Sequence, residues 1–266
     1  SPSVATRHLP TQWGVTLAEG AKRCDNYPIE RYTPLDKKVL VIIPCYNEED
    51  NIVNTVENLR AECPEVDFLV VNDCSTDSSA ELLRRHHYPF LDLPVNLGLA
   101  GAFQAGLRYA DRMDYDMAIQ FDGDGQHDPQ YIEAMASKME EESLDVVIGS
   151  RFKDKKKPFS LRMMGNQMIQ LAIKITTGVT VKDPTSGMRL FNRSMIHEFA
   201  HNLNYGPEPD TIAYLIRNGA KVQEVQVEMR ERIAGESYFN LRRAMEYMVR
   251  MCTSIILIQW FRKRGA

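Results

Sequence analysis

Apolar positions along the chain fall into short unbroken runs, each followed by a polar turn and then a segment of helical period. Val39-Leu40-Val41-Ile42-Ile43 is such a run, broken at Pro44, and has the form of a parallel strand buried on both faces. Tyr46-Asn47-Glu48-Glu49-Asp50-Asn51 suits a helix start, and Ile52, Val53, Val56 and Leu59 continue at helical spacing. The order returns in Phe68-Leu69-Val70-Val71, the turn Asn72-Asp73-Cys74-Ser75-Thr76-Asp77, and a helix through Leu82 and Leu83. Phe90 to Leu93 predicts a short strand, Asn96 to Gly101 a glycine-bearing turn, and Ala102 to Ala110 a helix. Asp145 to Ile148 predicts a further strand. Strands alternating with helices predict right-handed βαβ units, hence an α/β fold with a mostly parallel sheet.

The most informative segment is Ile119-Gln120-Phe121-Asp122-Gly123-Asp124-Gly125-Gln126-His127, where an apolar strand runs into two carboxylates spaced i, i+2. Carboxylates at the C-terminal lip of a strand face the ligand crevice of an open α/β sheet, and a hard divalent cation needs such oxygens. One reading is a Mg²⁺ or Mn²⁺ site for a diphosphate. The other is an Asp-Gly surface turn, which the same glycines suit. No Gly-x-Gly-x-x-Gly follows the first strand and no Gly-Lys-Ser/Thr loop occurs, which removes the main support for dehydrogenase and P-loop readings.

Composition narrows the class. The 266 residues, 44% hydrophobic and 26% charged, suffice for one large core, and the net charge of −4 leaves no nucleic-acid footprint. Cys24, Cys45, Cys63, Cys74 and Cys252 are odd in number with no Cys-x-x-Cys, which favours a reducing cytoplasm over disulfides or structural zinc. No apolar stretch approaches the about 18 residues of a spanning helix. Residues 1–36 lack periodicity and are expected to be a processed or artificially appended leader.

Taken in order, Pro44-Cys45-Tyr46-Asn47-Glu48-Glu49, Asn72 to Asp77, Asn96 to Gly106 and Asp122 to His127 resemble the blocks of the family-2 glycosyltransferases. Gly149-Ser150-Arg151-Phe152, Asp183 to Arg189 and Arg232 to Ser237 are similar to the branch of dolichol- and polyprenol-phosphate-mannose synthases. The resemblance covers about Lys38 to Tyr238. It implies a GT-A fold over 37–238, a nucleotide-sugar donor, and an inverting transfer to a polyprenol phosphate or other lipid-linked acceptor. Transfer onto a surface polysaccharide or glycolipid, a sugar nucleotidyltransferase, and a nucleotide-sugar-binding module remain as alternatives.

Cleavage of such a donor puts charge on the leaving diphosphate, which a divalent ion neutralises. Asp124 is the first candidate metal anchor and Asp122 faces metal or ribose, while the resemblance adds Gln126 as a metal-site neighbour. His127 reads more readily as a hydrogen-bonded structural residue. At the other strand ends Pro44, Tyr46 and Glu48 are candidates to line the nucleoside pocket, with Asp73 receiving donors from base or ribose. Helix-start and turn roles fit Glu48 and Asp73 equally. Arg151, Arg189 and Arg232 are candidate clamps for donor diphosphate or acceptor phosphate, because a guanidinium matches phosphate bidentately. Asp210, and Glu208 second, are candidates for the base or acceptor-positioning group, with stabilisation of a helix start as the competing role.

From Leu241 the positions Met245, Met248, Val249, Cys252, Ile255 and Ile256 recur at helical spacing among basic residues that extend to Arg264. This C-terminal segment, 239–266, predicts a basic amphipathic helix. It would lie either on an anionic membrane surface, placing the enzyme at the cytoplasmic face, or against the body or a second subunit as a homo-oligomer contact.

Overall fold

The computed structural model describes residues 37–155, 161–201, 206, 208–230 and 241–257. The expected leader, Arg232 and the basic end from 258 onward therefore lie outside the described residues. In chain order the elements are β1 (Val39–Cys45), α1 (Ile52–Glu62), β2 (Asp67–Asn72), α2 (Ser79–Arg85), β3 (Phe90–Asp92), α3 (Gly98–Arg112), β4 (Met117–Gln120) and α4 (Tyr131–Glu141). They continue with β5 (Val146–Ser150), α5 (Leu161–Thr177), β6 (Arg189–Asn192), α6 (Arg193–His201), α7 (Pro209–Arg217), β7 (Val222–Gln226) and α8 (Leu241–Ile256).

The strands form one sheet in the order β3-β2-β1-β4-β6-β5-β7. All neighbouring pairs are parallel except those of β6, which runs antiparallel to both β4 and β5. Successive side chains of a strand point to opposite faces, so the unbroken run in β1 feeds two cores. Leu40 and Ile42 join Phe103, Leu107, Phe191 and Phe199 on one face, while Val39, Val41 and Ile43 join Ile52, Val56, Ile132 and Met135 on the other. Each such side chain contributes roughly 1.5–3 kcal/mol on burial.

The packing of α3 fixes one wall of the site. A Cβ on Gly106 would come within 2.3 Å of Ile42 Cγ2, so only glycine lets α3 lie this close to β1. Phe103, Phe191 and Phe199 then pack as a ring cluster with centroids 5.8 and 5.1 Å apart, coupling α3 to β6 and α6. α3 starts at Gly98 rather than at Ala102, and β4 ends at Gln120, leaving Asp122 in the loop just beyond the strand.

Candidate active site

β1 lies between β2 and β4, and the connections leaving β1 and β4 diverge, which opens a crevice beyond their carboxyl ends. β6 enters this edge in the reverse sense, with Arg189 opposite both Gln120 and Ile148. The ends of β1, β2, β4 and β5 and the start of β6 therefore share one edge of the sheet. That brings together residues from 44 to 210.

In the loop after β4 the burial alternates: Phe121, Gly123, Gly125 and His127 are buried, whereas Asp122, Asp124 and Gln126 are partly exposed. All three oxygen-bearing residues thus keep part of their surface accessible. Asp124 Oδ1 accepts from the Gln126 N–H at 3.1 Å, which sets the turn. The backbone N–H of Asp122 donates to His127 Nδ1 at 2.9 Å, so the neutral ring carries its proton on Nε2, 3.5 Å from Asp122 Oδ2. His127 packs edge-on against Phe121 and fixes the strand-end acid from behind. A Cβ on Gly187 would stand 2.7 Å from Asp122 Oδ2, so glycine is what admits the carboxylate there.

The residues expected on the nucleoside side lie at the ends of β1 and β2. The Pro44 carbonyl would meet a Cβ on Gly123 at 3.1 Å, and Glu48 Cγ lies on the same side at 3.7 Å. Glu48 Oε2 accepts from Asn51 Nδ2 at 2.8 Å, while its carbonyl accepts the N–H groups of Asn51 and Ile52 at the start of α1. Tyr46 is 48% exposed, a large apolar surface beside the crevice. Asn47 occupies the left-handed region at φ 54 and its Oδ1 accepts the Thr76 N–H at 2.8 Å, which closes the β1 and β2 loops on each other. Buried Asp73 accepts the Leu97 N–H at 2.7 Å and so tethers the entry to α3.

Two of the expected cationic clamps sit in different environments. Arg151 makes a bidentate pair with buried Asp183, Nε to Oδ2 at 2.7 Å and Nη2 to Oδ1 at 2.8 Å, and Asn166 Nδ2 donates to the same carboxylate at 3.1 Å. Burial opposes the charge on Asp183, but these bonds prevail and hold its carboxyl below the usual range. Arg189 is 3% exposed, and its Nη2 donates to the Pro184 carbonyl at 2.7 Å. Its Nε and Nη1 have no hydrogen-bond partner among the described residues. Burial pulls this guanidinium below its ordinary range, against the fields of Tyr247, Glu208, Asp183 and Asp122. A buried cation with two unused donors is a costly arrangement unless an anion completes it.

On the opposite side Glu208 is the N-cap of α7 and makes no side-chain capping bond, while Arg250 Nη2 lies 3.7 Å from its Oε2. Asp210, in the first turn of α7, is 5% exposed, and its Oδ2 accepts from Ser254 Oγ of α8 at 2.6 Å. Burial and the nearby Glu208 push the Tyr247 phenol up to about 12, so it stands as a neutral hydroxyl near Arg189.

The family model for glycosyl transferase family 2 matches residues 40–199, from the start of β1 to the end of the α6 core. The chain belongs to that family. It is 32% identical over 222 residues to the undecaprenyl-phosphate mannosyltransferase of Micrococcus luteus, covering 75% of this chain and 86% of that one. It is 26% identical to the UDP-N-acetylglucosamine–dolichyl-phosphate N-acetylglucosaminyltransferase of Methanococcus voltae, over 73% of this chain and 86% of that protein. Among solved structures, glucosyl-3-phosphoglycerate synthase from Mycobacterium tuberculosis, in complex with Mn²⁺, UDP and phosphoglyceric acid, superposes with a TM-score of 0.65. The two share 16% identity over 84% of this chain and 79% of that one, which places the family-2 enzyme in the GT-A fold.

Several residues of this candidate site carry no signal in the sequence taken alone. Ser254 is one serine in an amphipathic helix, and Tyr247 reads as part of its stripe. His127 is visible as a residue, but its bond to the Asp122 N–H is not. Asp183 lies inside a recognisable block, yet its pairing with Arg151, 32 positions away, exists only in the fold.

Proposed function

We propose that this family-2 glycosyltransferase moves a sugar from a UDP- or GDP-sugar to a polyprenyl phosphate at the cytoplasmic face of a membrane. Support for the donor half is the crevice chemistry. Asp122, Asp124 and Gln126 offer hard oxygens from three partly exposed residues of one loop, which suits a divalent ion, Mg²⁺ or Mn²⁺, and the relative from M. tuberculosis was solved with Mn²⁺ and UDP. Such an ion would neutralise the charge that develops on the leaving diphosphate. Pro44, Tyr46, Glu48 and Asp73 then line the nucleoside side. Arg189 presents its two unused N–H groups to a phosphate oxygen, with Arg151 and Arg232 as the other basic candidates.

The acceptor half rests on α8, which has two jobs. Its inner face holds Ser254 against Asp210 and places Tyr247 near Arg189. Its outer face leaves Met245, Val249 and Ile256 exposed, Val249 by 62%. α5 packs against α8 so closely that a Cβ on Gly165 would overlap Met248 Sδ at 1.5 Å. It adds Met164, Met168, Leu171 and Ile175 at helical spacing, the last 71% exposed. Two adjoining helices with outward apolar stripes suit shallow insertion into a bilayer, and one of them also reaches the acceptor-side acid. Among the described residues no helix is long and apolar enough to cross a membrane. A lipid phosphate is already anionic at neutral pH, so Asp210, with Glu208 beside it, serves to orient the attacking phosphate more than to deprotonate it. The relatives from M. luteus and M. voltae, both named for lipid-phosphate substrates, agree with this reading.

The test offers labelled UDP- and GDP-sugars to the full chain with polyprenyl phosphate in anionic vesicles, and in parallel with water-soluble phosphates. Label entering the lipid fraction supports the reading. Label entering only a soluble acceptor contradicts it.

A further inference from the structure

Outside the crevice, the last turn of α3 and one face of α6 bring three ligand-bearing side chains together. His197 and His201 are four apart, which sets them on one side of the helix, with ring centroids 4.6 Å apart. Asp111 of α3 meets both: Oδ1 lies 3.3 Å from His197 Nδ1 and Oδ2 lies 2.8 Å from His201 Nε2. One ligand atom from each of the three residues falls within 4.8 Å of the others. We propose that Asp111, His197 and His201 form a second cation site, specific for a borderline transition-metal ion of the Zn²⁺ class and separate from the donor site.

The donor set decides the class of ion. Two imidazole nitrogens and one carboxylate oxygen match Zn²⁺ and its neighbours, whereas Mg²⁺ and Mn²⁺ prefer the all-oxygen set at Asp122, Asp124 and Gln126. Zn²⁺ bonds of about 2.0–2.2 Å separate tetrahedral ligands by roughly 3.4 Å, and the three ligand atoms here lie within 4.8 Å of one another, so a small side-chain adjustment brings them to that spacing. The histidine side chains are 60% and 55% exposed, so the remaining positions are open to water. Arg193 is the competing charge. Its Nη2 lies 3.2 Å from Asp111 Oδ1 and 3.1 Å from Asp114 Oδ1, so it sits on the oxygen away from His201 and leaves Oδ2 to the ion.

The site joins α6 to α3, whose first turn borders the crevice. α3 already donates from Gln104 Nε2 to the Phe199 carbonyl and from Arg108 Nε to the Ala200 carbonyl. α3 opens at the Asp73 tether beside the crevice. An ion across Asp111 and His201 would lock that pair at its far end.

The experiment uses the full chain stripped of metal and held in excess Mg²⁺, titrated with Zn²⁺ against a chromophoric chelator, with thermal melting in parallel. Zn²⁺ is expected to bind in a single equivalent and to raise the melting temperature, since Asp111, His197 and His201 are brought together only in the folded state. H197N and H201N, which keep a hydrogen-bonding side chain towards Asp111, are each expected to weaken binding at least about tenfold. D124N is expected to leave the Zn²⁺ titration unchanged. Equal affinity in wild type and both histidine variants, or loss of Zn²⁺ binding in D124N alone, would overturn the proposal.

Discussion

Ser254 Oγ donates to Asp210 Oδ2 at 2.6 Å, so the helix with the exposed apolar stripe is bonded directly to the buried acid that opens α7. A hydrogen bond to a charged group contributes about 1.5–3 kcal/mol, and Ser254→Ala is expected to lower stability by that order. Asp210→Asn keeps the size of the side chain but removes its charge. Turnover is expected to fall while nucleotide affinity, read by calorimetry, stays within twofold or so, the mark of an interaction used in the transition state. Unchanged turnover with a shifted melting temperature would leave Asp210 a structural role only.

The bond from the Asp122 N–H to His127 makes a separate expectation. His127→Phe preserves the apolar contact with Phe121 but removes the acceptor. Nucleotide binding in Mn²⁺ is expected to weaken by about 10–100-fold, as for other partners that orient metal ligands. Binding in EDTA is expected to be the same for variant and wild type.

Arg189 separates function from stability. Unlike Arg151, Arg189 has no carboxylate ion-pair partner among the described residues and two unmet donors, so an apolar side chain of similar length removes an uncompensated desolvation cost. Arg189→Met is therefore expected to hold or raise the melting temperature while transfer drops at least about a hundredfold, the scale of one lost transition-state donor. A variant that melts early but turns over normally would show that the guanidinium belongs to the scaffold.

How much of this was legible follows from the physics of each element. β1, β2 and β5 are buried on both faces and read as continuous apolar runs, and the i, i+2 acids mark the lip of β4. β6 did not show itself, because Arg189-Leu190-Phe191-Asn192 is short and begins with a charge. Its antiparallel sense is what carries Arg189 to the same edge as Asp122. The resemblance points to a basic residue at that position, but residue spacing says nothing of its burial or its two unused donors. The α/β class and GT-A fold were expected correctly. The paired stripe of α5 was not expected, since the basic flanks drew attention to α8 alone.

Acid stability tests the Arg151–Asp183 pair. The folded carboxyl lies below its ordinary value of 3.8, so the pair's contribution is present above that pH and is lost as the pH falls through the lowered folded value. Arg151→Met leaves Asp183 buried without its cation, at a cost of about 3–5 kcal/mol. The acid-unfolding midpoint, followed by circular dichroism, is expected to move to higher pH than in the wild type.

The central claim is transfer of a single sugar to a lipid phosphate, and mass spectrometry of the lipid product tests it most directly. Full chain, Mn²⁺, a UDP- or GDP-sugar and polyprenyl phosphate in vesicles are expected to yield a lipid monophosphate carrying one sugar, with nucleoside diphosphate released and no product from Asp124→Asn. A lipid diphosphate-sugar with release of nucleoside monophosphate, or an unchanged lipid beside a glycosylated soluble acceptor, would contradict the account.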